Sequence, residues 1–314
     1  MRVVFFGSPP FAVPVLERLA ASAHRVLALV TLPDKPQGRG QRVAESPLVA
    51  AAVARGIEVL QPADPHDEAF LARLRELVPD VLVVASYGVI MKSVLLELAP
   101  HAALNVHASL LPRHRGASPI QASIAQGDAE TGVAIQKMVL ALDEGDVLVE
   151  RRTAIGAQET AGELGARLAV LGGDALIETL DALAAGSAKA TPQDAARATY
   201  TKKIKKAHGR VDWTRGANEL ERQVRAQNPW PLARTIDPKG RELAILRARV
   251  VDGAGAPGEI LAADARLVVA CGRGALEIQE LVPAGKRALA AEEFLRGARL
   301  ERGGRMTSPE NTTR

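Results

Sequence analysis

The sequence predicts an α/β fold, with a mostly parallel sheet in its first part and a small β-barrel in its second. Three observations carry this. Short apolar runs alternate with segments of helical period as far as residue 185, as strands joined by crossover helices do. The character then changes over 186–208, which is polar, basic and without apolar periodicity. Beyond it, short apolar runs recur between glycines and prolines, the pattern of a barrel. At 314 residues the chain can bury two cores. The expected division is one domain over 1–186, a basic linker over 187–208 and a second domain over 209–314.

The first strand is Val3–Phe6, halted by Gly7. Ser8-Pro9-Pro10 then reads as a cap followed by prolines in a first helical turn, where a missing N–H costs nothing. Val26–Thr31 is a second strand, and Asp34–Pro47, with Gly38, Gly40 and two prolines, is a loop. Ser46-Pro47 caps a helix through Arg55. Ile57–Leu60 is a strand, Asp67–Val78 a helix, and Val81–Ala85 and Ala103–His107 are strands. Ser118 to Gln121 fits a capping box with Pro119 at the first helical position. Thr131–Met138 and Val147–Ile155 are strands on either side of a turn at Asp143. A second box, Thr160 to Glu163, opens the helix Thr160–Ala185. In the second domain a helix over Ala217–Gln227 precedes strands at Glu242–Val251, Glu259–Leu261, Leu267–Ala270 and Leu276–Leu281.

Composition excludes several classes. Apolar residues make up 47% of the chain, yet no apolar run approaches the roughly 20 residues that cross a bilayer. Met1–Gly7 is too short and too quickly broken for a signal peptide, so a cytoplasmic protein without a membrane partner is expected. The single cysteine, Cys271, excludes an internal disulfide, and its apolar neighbours make it buried filler. The six histidines lack an H-E-x-x-H spacing, so no metal is expected. No GxGxxG follows the first strand and no Walker motif occurs, which withdraws support from NAD and ATP chemistry. A net charge of +4 taken alone describes a solvated basic surface. Its distribution says more. Lys202, Lys203, Lys205 and Lys206 cluster beside Tyr200, and Arg39 and Arg42 lie in the glycine-containing loop. Such patches suit phosphate backbones.

The chemistry concentrates at Asn105-Val106-His107. Residues i and i+2 of a strand face the same side, so an amide and an imidazole leave this strand in parallel where it meets a turn. In open α/β sheets, ligands sit at the carboxyl ends of strands. A lone histidine is more often structural, but His107 has an amide neighbour able to donate to an oxyanion and a ring able to exchange protons near neutral pH. Asp143, in the turn Leu142-Asp143-Glu144-Gly145-Asp146, offers a carboxylate; only a pairing with His107 separates it from an ordinary turn aspartate. Amide, imidazole and carboxylate together suit acyl transfer. Leu110-Leu111-Pro112 reads either as a loop plug or as a lining for a flat aromatic ligand, and Tyr87-Gly88 could line the same cleft.

The run from Asn105-Val106-His107 to Gln121, the Leu142–Asp146 turn and Ser86-Tyr87-Gly88 closely resemble the methionyl-tRNA formyltransferases. So do Phe6-Gly7-Ser8-Pro9, Gly38-Arg39-Gly40, Asn228-Pro229-Trp230-Pro231 and Pro283-Ala284-Gly285-Lys286, so that the likeness spans nearly the whole chain. The 105–121 run is highly specific; the others are weaker alone. The resemblance implies a Rossmann-like N-terminal domain and an OB-fold-like C-terminal barrel that helps to hold tRNA. It implies transfer of a formyl group from 10-formyltetrahydrofolate to the amino group of methionyl-initiator tRNA; a monomer without a metal is expected. By that likeness Asn105, His107 and Asp143 are catalytic, and Ser109, Leu110, Leu111 and Pro112 contact the folate. The loop with Arg39 and Arg42 matches one that enters the tRNA acceptor end, and the Lys202–Lys206 cluster adds phosphate contacts. Position 114 is His where Trp or Tyr is usual, Pro10 replaces an acidic residue, and Met91-Lys92 replaces Leu-Pro.

Other readings of the same trio stay open. A purine-pathway formyltransferase needs only the first domain, and a formyl-folate hydrolase carries an additional one. A sugar-nucleotide formyltransferase shares a two-domain core and is disfavoured by the basic linker and the Arg39 loop. A non-catalytic RNA-binding barrel leaves Asn105, His107 and Asp143 unused.

Overall fold

The computed structural model describes residues 1–33 and 46–309. The chain divides into two compact units. One comprises Met1–Pro119, Glu130–Ala154 and Gly165–Lys202; the other comprises Ile120–Ala129, Ile155–Leu164 and the chain from Lys203 onward.

The first unit is built on β1 (Arg2–Gly7), β2 (Arg25–Val30), β3 (Glu58–Leu60), β4 (Val81–Ala85) and β5 (Ala102–His107), with a two-residue β6 (Arg115–Gly116), then β7 (Glu130–Lys137), β8 (Val147–Ala154) and a short β9 (Tyr200–Thr201). The main sheet has the order β3-β2-β1-β4-β5-β7-β8. All its pairings are parallel except those of β7, which runs against both neighbours. The unit's helices are α1 (Ala12–Ala20), α2 (Pro47–Val53), α3 (Glu68–Leu77) and α4 (Ser93–Leu96), with α6 (Ala161–Ala184) from Gly165 onward; α5 (Pro119–Gln126) from Ile120 and the first turn of α6 are counted with the other unit.

Strand β4 and all of β1 after Arg2 are buried on both faces, which is why they read as unbroken apolar runs. Val4, Phe6, Leu82, Val84 and Ala103 pack with Leu71, Leu74 and Leu95 of α3 and α4. On the opposite face α6 approaches β5 at Gly172, where a Cβ would lie 2.7 Å from Val106 Cγ1. Alternation therefore puts Asn105 and His107 on the Ala103 side of β5.

Local signals held with adjustments. Asp67 caps α3 by accepting from Ala69 N at 2.9 Å, and the Thr160–Glu163 box forms in both directions. Helix α1 begins at Ala12 rather than at Pro9-Pro10, and Pro14 occupies its first turn, where N–H groups lack helical acceptors. At Ser118 the N–H donates to Thr201 Oγ1 at 3.0 Å, so a residue 83 positions away meets the need expected of Gln121.

The second unit has α7 (Ala217–Ala226), the strands β10 (Ala233–Ile236), β11 (Glu242–Val251), β12 (Ile260–Ala263), β13 (Leu267–Ala270), β14 (Ala275–Pro283) and β15 (Leu289–Ala290), and α8 (Ala291–Ala298). The strands pair antiparallel in the order β10-β11-β14-β13-β12, with β15 on β14. The two ends of this order, β10 and β12, are joined by the segment 303–307. Ile236 N donates to Thr307 O at 2.8 Å, Met306 N to Gly258 O at 2.7 Å, and Ile260 N to Gly304 O at 2.8 Å. The expected barrel is thus closed by a segment too short and too polar to read as a strand. Met306 is only 1% exposed and joins Trp213, Leu243, Ile245, Leu276 and Phe294 in the core. Cys271 is buried among these residues, and burial pushes its thiol up to about 11, so it is filler and not a nucleophile.

Ending the chain after Arg302 removes the closing segment and the Met306 side chain. The loss is expected to be about 3 kcal/mol or more, a fall of roughly 12 °C or more in the melting of a unit this size. Thermal unfolding, with hydrogen exchange at β10 and β12, reads both the loss and its location. Among the described residues no helix is long and apolar enough to cross a membrane.

Candidate active site

Asn105 and His107 stand at the carboxyl end of β5, where the sheet changes from parallel to antiparallel pairing. Residue Gln136 of β7 lies opposite Asn105 in the register. After β7 the chain folds sharply back on itself. A Cβ at Gly145 would sit 1.7 Å from Lys137 O, so only glycine permits this approach. The turn carries Asp143, in a left-handed conformation (φ 54°), over the end of β5.

Four groups then meet at one carboxylate. Asp143 Oδ1 accepts from Gln136 Nε2 at 2.8 Å and from Asn105 Nδ2 at 3.2 Å. Oδ2 accepts from Gly116 N at 2.7 Å and lies 3.7 Å from His107 Nδ1. The imidazole and the carboxylate side chains are 5% and 11% exposed, a setting in which such interactions are stronger than in water.

The other ring nitrogen settles the tautomer. His107 Nε2 lies 3.1 Å from His114 O, and a carbonyl only accepts, so Nε2 carries a hydrogen. Proton exchange is left to Nδ1, the atom beside Asp143. With Nδ1 unprotonated, two acceptors face each other at 3.7 Å without a bond; a proton there supplies the donor. Asn105, half-buried, commits one amide hydrogen to Asp143 and keeps a second for an incoming oxygen. The arrangement can stabilise an oxyanion and shuttle a proton.

The loop after β5 is held from within. Ser109 is fully buried and its hydroxyl donates to Arg113 O at 2.6 Å. Leu110 Cδ2 comes within 2.5 Å of the place a Gly132 Cβ would occupy, Leu111 is buried and Pro112 half-buried. His114 adopts φ 58°, a region His tolerates better than most side chains. Its contact with His107 is made by its carbonyl, so this departure at position 114 leaves that bond intact. Gly116 (φ +105°) passes so close to Thr201 that a Cβ would meet Thr201 O at 2.4 Å.

Tyr87 is placed differently from its neighbours. Its ring is 1% exposed, packs edge-on against Phe6 at 5.4 Å and belongs to the core; burial pushes its phenol up to about 12. A ligand can meet this position only through the main chain, beside exposed Gly88. Met91 lies in the same core and Lys92 occupies the N-cap of α4. Lys202, Lys203, Lys205 and Lys206 are all exposed. Arg39 and Arg42 lie outside the described residues. Among the described residues no group of three or more His, Cys, Asp or Glu is placed to hold a metal ion.

Sequence reasoning missed Gln136, Gly116, Arg115, Gln193 and Tyr200. Gln136 left a faint signal as one amide ending the apolar run Val133-Ala134-Ile135, and it is 1% exposed. Gln193 left none, because it sits in the polar 187–208 stretch expected to be a linker. In the structure that stretch is bonded to the site: Thr191 pairs with Val147 and β9 pairs with β6.

A formyl transferase family model matches residues 1–180, and the model of the formyl transferase C-terminal domain matches 203–299. A methionyl-tRNA formyltransferase of Methylococcus capsulatus is 46% identical over 297 residues, covering 94% of this chain and 96% of its own. One from Anaeromyxobacter dehalogenans is 46% identical, covering 96% and 98%. The chain belongs to the methionyl-tRNA formyltransferase family. Its members are folate-dependent formyltransferases, and this chain is such an enzyme. Solved structures agree on the fold. An N-formyltransferase from Helicobacter canadensis, in complex with folinic acid and dTDP-3-aminofucose, is 17% identical with a TM-score of 0.64, covering 88% of this chain and 97% of its own. HypX from Aquifex aeolicus, in complex with tetrahydrofolic acid, is 20% identical with a TM-score of 0.64; this chain spans about half of that longer one.

Proposed function

We propose that the chain transfers the formyl group of 10-formyltetrahydrofolate to the amino group of methionyl-initiator tRNA, with Asn105, His107 and Asp143 as the catalytic residues. The convergence of an amide, a proton-exchanging Nδ1 and a carboxylate at the end of β5 supports this reading. The amine attacks the formyl carbon and a tetrahedral oxyanion forms. Asn105 Nδ2 stabilises that oxygen, joined by His107 Nδ1 once it carries a proton; one such donor is worth about 3 kcal/mol of barrier. Asp143 orients the ring and takes up the proton released by the amine, directly or through water. The carbon–nitrogen bond to the folate breaks, and the departing nitrogen receives that proton.

In this reading residues 1–186 bind folate and catalyse, with Ser109–Pro112 and the Tyr87-Gly88 main chain lining the folate cleft. Residues 209–314 hold the tRNA, joined through 187–208, and a cytoplasmic monomer acts with tRNA and folate as its only partners. Purified chain incubated with 10-formyltetrahydrofolate and charged initiator tRNA should yield N-formylmethionyl-tRNA. Failure there, with formylation of a nucleotide-linked amino sugar instead, overturns it.

Arg39 and Arg42, with Lys202, Lys203, Lys205 and Lys206, contact tRNA phosphates in the same reading. Replacing the four lysines by glutamine should raise KM for tRNA and shallow its log–log salt dependence by roughly 3, at about 0.7–0.9 per lost phosphate contact. Turnover and the KM for folate should stay as in the parent. An unchanged salt slope counts against these contacts.

A further inference from the structure

The turn that carries Asp143 is exposed at Ala141, Leu142 and Glu144, yet its carboxylate must stay in register with Asn105 and His107. One side chain from a remote segment grips it. Gln193 Nε2 donates to Asp143 O at 2.8 Å and to Gly145 O at 2.7 Å, on both sides of Glu144. It also lies 3.3 Å from Gln136 Oε1, which turns the Gln136 amide so that its Nε2 faces Asp143 Oδ1.

The orientation of Gln193 is itself determined. Its Oε1 accepts from Arg115 Nε at 3.1 Å and Nη2 at 3.0 Å, and a guanidinium only donates, so the NH2 group must face the carbonyls. Arg115 is only 3% exposed at its side chain, and its Nη1 reaches Tyr200 Oη at 2.9 Å and Glu144 Oε1 at 3.1 Å. Tyr200 in turn donates to Glu144 Oε1 at 2.9 Å.

We propose that Gln193 is a positioning residue for formyl transfer, holding the Asp143 turn through its side-chain amide and held in turn by Arg115. The proposal rests on the catalytic reading of Asp143. Without the amide the turn lifts, and a displacement of about 1 Å at a reacting group costs on the order of 100-fold.

The test compares Gln193→Met, Asp143→Ala and the double variant in steady-state formylation. Gln193→Met should lower kcat roughly 10- to 100-fold, with both KM values within about twofold of the parent and a melting temperature close to it. Because Gln193 acts through Asp143, the double variant should be no slower than Asp143→Ala alone. A general structural role would instead lower the melting temperature and multiply with Asp143→Ala. Should Gln193→Met fail to fold, Gln193→Glu replaces it: the carboxylate keeps Arg115 but turns an oxygen toward both carbonyls, and the same kcat loss is expected. Parent-like kcat in the folded Gln193 variant, or losses that multiply, overturns the proposal while a crippled Asp143→Ala leaves the catalytic reading standing. Parent-like turnover in Asp143→Ala removes that reading and the proposal with it.

Discussion

Asp143→Ala is expected to lower formylation turnover by roughly 10²- to 10⁴-fold, the range of a lost acid–base group, with KM for methionyl-tRNA within about twofold of the parent. The alanine also strands three donors, Gln136 Nε2, Asn105 Nδ2 and Gly116 N, that now share the carboxylate. Asp143→Asn should rescue little. Its oxygen can serve Gln136 and Asn105, but its NH2 then faces the Gly116 N–H at the 2.7 Å now bridged by a hydrogen bond. His107→Ala removes the proton-exchanging Nδ1, which can donate to the oxyanion once protonated, and turnover should fall by roughly 10²- to 10³-fold. Steady-state kinetics with saturating folate and varied tRNA read both. Near-parent turnover in either variant removes that residue from the mechanism.

The second large effect lies at Gly145. A Cβ there would fall 1.7 Å from Lys137 O, a backbone atom of β7 that no rotamer change can move aside. Gly145→Ala therefore has to lift the turn, breaking the bond from Lys137 N to Asp146 O and those from Gln193 to residues 143 and 145. Stability should fall by about 1–3 kcal/mol, as for an overpacked site, and kcat by on the order of 100-fold through misplacement of Asp143. Gly297→Ala is the matched control. It lies in α8 with no atom within 4 Å of a new Cβ, and the helix should gain up to about 1 kcal/mol with turnover unchanged. If both glycine variants turn over alike, the turn does not depend on that close approach.

Much of the architecture can be read from short windows. Strands β1, β2 and β4 are apolar runs bounded by Gly, Pro or polar residues, whereas β8 carries Glu150, Arg151 and Arg152; Asp67 and Thr160–Glu163 announce their helices by capping chemistry alone. Elements of two to four residues, such as α4, β6, β9 and β15, carry too few positions for a period to register. The barrel was expected, but its closure by 303–307 was not, because that segment pairs through its backbone and buries one side chain, Met306.

Nearest-neighbour patterning along the chain places Asn105 and His107 together, because a strand repeats every two residues whatever surrounds it. It also marks Asp143 as a turn carboxylate, though not as their partner. Long-range packing alone brings Asp143 to Asn105 across 38 positions, Gly116 to Asp143 across 27, and Gln193 to the same turn across 50. Those distances depend on a glycine approaching a backbone carbonyl and on a guanidinium orienting an amide. Such steric and directional constraints act between remote segments and leave no period behind.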